Sequence, residues 1–179
     1  MNTQSGFTLT ELLVVMTIVG IIVGLGVPSF KYVTTANRVA AEANALLADM
    51  QYARSEAVRE GQTVTVCAST DGSSCVGGTG TSWQGGWIVF SDANGDGQVN
   101  AGTEPVLRVK NKFSGTDTLS STVNVVKFNR EGFASGLPNA GLLMSLHEST
   151  SNVGYTRCLQ VNLVGTLKVV NHATLAACT

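Results

Sequence analysis

Residues 7–27 read FTLTELLVVMTIVGIIVGLGV, and the only charge among them is Glu11. Coiled as a helix rising 1.5 Å per residue, the run is about 30 Å long, the thickness of a bilayer's hydrocarbon core. A cleavable secretory signal would show a basic start, a shorter apolar stretch and a small-residue cleavage site after it. Here the stretch is long, the small residue Gly6 precedes it, and the sequence continues directly into a further helical pattern. The chain therefore reads as anchored by a single-pass helix. Glu11 is the anomaly, since a carboxylate in hydrocarbon costs about 2.5–3.5 kcal/mol even on the gentler insertion scales. Either it snorkels from the helix start, or it awaits a positive partner such as the free amine of a neighbouring chain.

Pro28 closes the apolar run, and a proline inside a helix removes one hydrogen bond and kinks it. Gly20, Gly24 and Gly26 weaken helix propensity just before it, a local weakness that would let the segment stretch on packing. Over 29–60 the apolar positions Val33, Ala36, Ala40, Ala43, Leu46, Leu47, Met50, Ala53 and Ala57 recur at spacings of three and four, which predicts an amphipathic helix. Its charges balance, Lys31, Arg38, Arg54 and Arg59 against Glu42, Asp49, Glu56 and Glu60, and read as a solvated, salt-bridged face rather than a binding stripe. Gly61 stands next as a C-cap.

Beyond residue 61 the pattern changes to short β-rich runs at 63–68, 86–91, 105–110, 122–129, 142–147, 158–163 and 166–170, separated by turn clusters. A long helix succeeded only by strands predicts an α+β fold with the helix laid on antiparallel sheet. Four cysteines stand as two close pairs without zinc or redox spacing, so disulfides are expected. Of the three connectivities, the local one, Cys67–Cys75 and Cys158–Cys178, is favoured, which implies an oxidising compartment.

Gly6-Phe7-Thr8-Leu9-Thr10-Glu11 resembles the G-F-T-L-x-E signature of type IV pilins and type II secretion pseudopilins. The resemblance implies that a prepilin peptidase cuts after Gly6 and N-methylates Phe7. Glu11 then becomes the assembly charge that neutralises a neighbouring N-terminus. Residues 1–6 are the leader, which carries no Lys or Arg, 7–28 the transmembrane half of the first helix, 29–60 its amphipathic half and 61–179 the globular head. Gln51 to Val58 (QYARSEAV) and Gly86 to Gly97 (GWIVFSDANGDG), with Glu104 and Leu107-Arg108-Val109 beyond them, are similar to the GspH/FimT/FimU branch. That branch implies a pilin-like fold, a helical spine on an antiparallel β-sheet or β-sandwich head. It also implies a minor pilin in a tip or priming complex of a type IV pilus, supporting pilus biogenesis, twitching and adhesion. The alternatives are a DNA-binding minor pilin for natural transformation and a type II secretion pseudopilin. The implied partners are other major and minor pilins, the peptidase and the inner-membrane assembly platform. The implied location is the inner membrane of a Gram-negative bacterium with a periplasmic head, then the filament.

DNA-binding relatives use a Gly-Arg-x-Arg motif in a late β-turn. The comparable turn here is Gly165-Thr166-Leu167-Lys168, in which only Gly165 and the basic Lys168 match. Arg157, Lys127 and Arg130 are further phosphate-binding candidates, yet from residue 61 onward seven basic side chains face seven acidic ones, so no net field attracts a polyanion. Asp92-x-Asn94-x-Asp96-Gly97-Gln98 matches the first part of an EF-hand-type calcium loop, with side-chain oxygens at positions one, three and five and a carbonyl at seven. The closing glutamate belongs at position twelve, where Thr103 stands, and Glu104 comes one residue late. A polar turn between strands is the competing reading. No other cofactor is expected. No nucleophile elbow, Walker loop or H-E-x-x-H is present, and no helical pattern comes after Gly77-Gly78-Thr79-Gly80 to make a phosphate cradle. His147 and His172 stand apart from the cysteines, so no enzymatic role is expected.

Overall fold

The computed structural model describes residues 6–77, 83–113 and 115–178. The first five leader residues and most of the glycine cluster at 77–80 lie outside the described residues, as does the side chain of Pro28. Helix α1 spans Leu9–Glu60 and is helical at position 28. The chain divides into two compact units between Asn37 and Arg38.

The first unit is the apolar half of α1. Its best 18-residue window has a mean hydropathy of 2.4 and none of it is buried. Side chains such as Leu12, Ile18, Ile22 and Leu25 are all more than half exposed. A helix that is apolar all round and unburied is suited to lipid or to other helices.

The second unit, Arg38–Thr179, takes in the C-terminal part of α1 together with the head. The reason lies in the helix face. Val39, Ala43, Leu46, Met50, Ala53 and Ala57 are buried at alternating spacings of four and three, the phase of a core-facing seam. Val33 is exposed and Ala40 only half-buried, so the seam starts at Val39, one position before the Ala40 that the sequence spacing favoured.

Two antiparallel sheets complete the head. The first has the order β3-β2-β1-β5-β6, with β1 Val64–Ala68, β2 Gly86–Ser91, β3 Val106–Asn111, β5 Val125–Phe128 and β6 Ala134–Ser135. The second has the order β4-β7-β8-β9, with β4 Thr118–Ser120, β7 Leu142–His147, β8 Arg157–Val161 and β9 Leu167–Asn171. Val64, Val66, Val89, Phe128, Met144 and Leu159 join the α1 seam in one core, so helix and both sheets share it. Strand β1 is buried on both faces: its other side places Cys67 against Ile88 and Phe90.

The strand expected over 122–129 shortens to Val125–Phe128 because its start is taken by a turn. The Val123 carbonyl accepts from Ser121 Oγ at 2.8 Å and from the buried indole of Trp83 at 2.8 Å. Strands β4 and β6, of three and two residues, are too short to show any periodicity in sequence. Gly86, at φ +113°, is required by a close approach: a Cβ there would lie 2.3 Å from the Lys110 carbonyl oxygen across the β2–β3 pair.

Candidate functional site

The N-terminal segment is built from a helix start. Thr8 is the residue before α1, and its Oγ1 accepts the Glu11 backbone N–H at 3.2 Å. The Leu12 N–H donates to the Thr8 carbonyl at 3.1 Å, closing the first turn. Thr8-x-x-Glu11 is thus half of a capping box, which satisfies one of the orphan N–H groups that every helix start leaves. The T-x-x-E spacing is itself a capping signal in the sequence, overshadowed there by the charge of Glu11.

The cap sets the state of the residues on either side of it. Gly6 and Phe7 lie before the helix, both exposed, with Phe7 79% exposed. Among the described residues nothing lies within 4 Å of where a Gly6 Cβ would be. Glu11 sits in the first turn, where the helix dipole favours a negative charge. It is exposed, and among the described residues no cation lies within ion-pair distance of it. The segment therefore presents an unpaired carboxylate four residues after a terminus that cleavage would leave as a free amine.

In the head, three charges of α1 reach beyond the helix and three pair within it. Arg38 grips Asp117 through two hydrogen bonds of 2.7 Å, Nε to Oδ2 and Nη2 to Oδ1. Asp49 accepts from the Trp87 indole at 2.8 Å and from Arg108 at 3.0 Å, while Arg108 stacks 3.8 Å over the Tyr52 ring. Arg54 donates to the Gly132 carbonyl at 3.0 Å. Arg59 instead keeps to the helix, paired with Glu56 and Glu60. Arg38 is raised above its ordinary pKa by the hydrogen bond to Asp117. Glu42 is pushed up to about 7, first by burial and then by the nearby charge of Asp117. One of its oxygens, Oε2, is buried without a hydrogen-bond partner among the described residues.

Both disulfides are present in the local connectivity, Cys67–Cys75 with Cα atoms 5.6 Å apart and Cys158–Cys178 at 5.8 Å. Each anchors a small buried cluster at the edge of the main core.

Three of the basic candidates for a polyanion, Lys127, Arg130 and Arg157, are engaged locally. Lys127 is turned onto the 92–104 loop, its Nζ donating to the Gly95 carbonyl at 2.6 Å. Arg130 pairs with Glu131 at 2.8 Å, and Arg157 donates to the Thr156 carbonyl at 2.9 Å. Lys168 is exposed on β9 opposite Gln160, three positions from Arg157, so the two point to opposite faces of the β8–β9 pair. Gly165 has a packing reason of its own. At φ +77°, a Cβ there would lie 2.1 Å from the Gly132 carbonyl oxygen. The two histidines are engaged locally, His147 Nδ1 3.3 Å from Thr156 Oγ1 and His172 Nδ1 3.0 Å from the Cys178 carbonyl.

The acidic loop does converge. Asp92, Asp96 and Glu104 each bring a carboxylate oxygen within 4.8 Å of the others. The late placement of Glu104 is absorbed by a turn at 100–103, whose Asn100 N–H and Nδ2 both donate to Glu104 Oε2 at 3.0 Å. Asn94 Oδ1 accepts the Asp96 N–H at 2.9 Å, and the Gln98 N–H donates to Asp96 at 2.7 Å.

Residues 42–165 match the family described as type II transport protein GspH, and residues 1–27 match the prokaryotic N-terminal methylation motif. Among solved structures, the type IV minor pilin FimU of Pseudomonas aeruginosa is similar at 20% identity. The match covers 76% of this chain and 91% of that one, with a TM-score of 0.58. The minor pseudopilin EpsH of the Vibrio cholerae type 2 secretion system is similar at 10% identity over 75% and 97%, with a TM-score of 0.51. At these identities the two structures attest the fold, a long helix on antiparallel sheets.

Proposed function

We propose that this chain, which belongs to the GspH family of type IV minor pilins and pseudopilins, is a structural minor pilin of a type IV pilus, placed in its tip or priming complex. The observation that carries the proposal is the unpaired Glu11 in the capped first turn of an unburied apolar helix. Prepilin peptidase removes residues 1–6 and methylates the Phe7 amine. In the membrane the mature helix then stands beside those of other pilins, and Glu11 meets the amine of a neighbour. Joining the two charges relieves the cost of holding each in hydrocarbon, a cost of several kcal/mol per unpaired ion. The head, disulfide-bonded and outside the cytoplasm, then makes lateral contacts with its neighbours.

A second reading is favoured by the family description, type II transport protein. In it, the same cleavage and the same charge pairing place the subunit in a secretion pseudopilus. Deleting the gene and scoring twitching motility and exoprotein secretion in the same strain separates the two. Loss of twitching with normal secretion is the result expected for the pilus role. Normal twitching with blocked secretion would refute that role and leave the pseudopilus.

A further inference from the structure

Asp92 carries an oxygen that the fold of the head does not explain. The residue is fully buried, at 0% exposure, and among the described residues no hydrogen-bond donor reaches its Oδ1. Its other oxygen is clamped: Oδ2 accepts from Thr65 Oγ1 at 2.6 Å and from the Gly97 N–H at 3.0 Å. The carboxylate is therefore held in one orientation while half of it goes without a donor. A buried, unpaired carboxylate oxygen is costly unless a cation meets it. Asp96 and Glu104 each bring one carboxylate oxygen within 4.8 Å of an oxygen of Asp92. Glu104 is also buried, at 6% exposure.

We propose that the 92–104 loop binds one calcium ion, with Asp92, Asp96 and Glu104 as carboxylate ligands, Asn94 as a side-chain ligand and Gln98 contributing its backbone carbonyl. Calcium takes oxygen ligands at about 2.3–2.6 Å, so oxygens on opposite sides of one ion stand about 4.6–5.2 Å apart. The 4.8 Å limit on the three carboxylates fits a single ion of that size. The donor set is all oxygen, which excludes softer metals that prefer thiolate or imidazole. The loop turns at Gly97, which takes φ +80° at the sixth position, where calcium loops of this type need a glycine. Charge also balances. Three carboxylates and the Lys127 ammonium, which caps the Gly95 carbonyl in the same loop, leave a net charge of minus two for a divalent ion to neutralise. The competing account is that Lys127 alone serves as the loop's counter-ion.

The test uses the full chain in detergent micelles, stripped with a chelator and titrated calorimetrically with calcium chloride or with magnesium chloride. Thermal unfolding is tracked in parallel by the fluorescence of Trp83 and Trp87. One equivalent of calcium is expected to bind with a dissociation constant of about 10⁻⁵–10⁻³ M, the span from sensors to extracellular modules, and to raise Tm. Glu104→Gln and Asp96→Asn should each weaken calcium binding at least tenfold. Glu104→Gln should keep the native near-UV circular dichroism in chelator, because its amide oxygen preserves the acceptor that Asn100 uses, whereas Asp96→Asn keeps the acceptor for the Gln98 N–H and gives up the Oδ2 acceptor of Asn94 and Asn100, both on the exposed side of the loop. Absence of saturable binding up to about 10 mM, above the weakest extracellular modules, would overturn the proposal in favour of Lys127 as counter-ion. Unchanged affinity in both variants would overturn the ligand assignment, and an equal response to magnesium would overturn the choice of ion.

Discussion

Replacing Glu42 by glutamine removes a titration that the head carries at some cost. Glu42 is 9% exposed, its Oε2 has no hydrogen-bond partner among the described residues, and Arg38, Asp117 and Lys110 are the charged groups that act on it. Arg38 is already committed to Asp117 by two bonds of 2.7 Å, so Glu42 meets the pair as a surplus negative charge. Its carboxyl is raised from 4.5 to about 7. A carboxyl raised in the folded state binds more protons folded than unfolded between those two values. Its stabilising contribution is therefore complete below the unfolded pKa and is lost as pH climbs toward the folded one. A shift of that size corresponds to about 3 kcal/mol at most. Glu42 lines an open cleft with Lys110, Lys112 and Phe113, where solvent and lysine screen it, and about 1–2 kcal/mol remains. The assay is urea unfolding of the full chain in detergent from pH 4.5 to 8, read by Trp83 and Trp87, both buried in the head. The native chain should lose about 1–2 kcal/mol relative to the glutamine variant as pH rises across that window, with the variant the more stable at pH 8. If the difference between the two stayed constant with pH, the account of Glu42 as a surplus buried charge would be refuted.

Other perturbations probe the packing of the head. Gly165→Ala forces a Cβ to 2.1 Å from the Gly132 carbonyl at a left-handed φ, and should destabilise by about 2–4 kcal/mol in the same urea assay. Lys168→Ala, at an exposed position, should leave stability within about 0.5 kcal/mol, so a loss of DNA affinity in the Gly165 variant alone would reflect folding rather than recognition. Replacing Cys158 and Cys178 together by serine opens a loop of 20 residues' separation and should cost about 3 kcal/mol, visible as a lower urea midpoint than that of the oxidised native chain.

The sequence was most legible where one physical constraint dominates. The apolar run lies, as expected, in a helix long and apolar enough to cross a membrane, and the strands with clean apolar patterning, Gly86–Ser91 and Leu142–His147, fell at their expected bounds. Legibility failed where the deciding contact is remote. Arg38 and Asp117 are 79 positions apart, and nothing local announces their pairing. The helix seam was misphased at its beginning because Val33 and Ala36 continue an apolar spacing, although Val33 is exposed and the buried seam begins at Val39. In the acidic loop the count of twelve pointed to Thr103, whereas a turn held by Asn100 brings Glu104 inward. Gly165 matched a recognition motif by letter, and only the approach of the Gly132 carbonyl shows why a glycine is needed there.

The central claim is that cleavage after Gly6 and the charge of Glu11 carry this chain into a filament. It is tested most directly by mass spectrometry of filaments sheared from cells that express either the native chain or Glu11→Ala at equal total levels. The native chain should appear with an N-methylated Phe7 as its first residue. The alanine variant should be cut and methylated to the same extent in the membrane fraction, yet be depleted at least about tenfold from filaments, the consequence of losing about 1.4 kcal/mol or more of charge pairing. Filaments containing the uncut leader, or the alanine variant at the native level, would contradict the account.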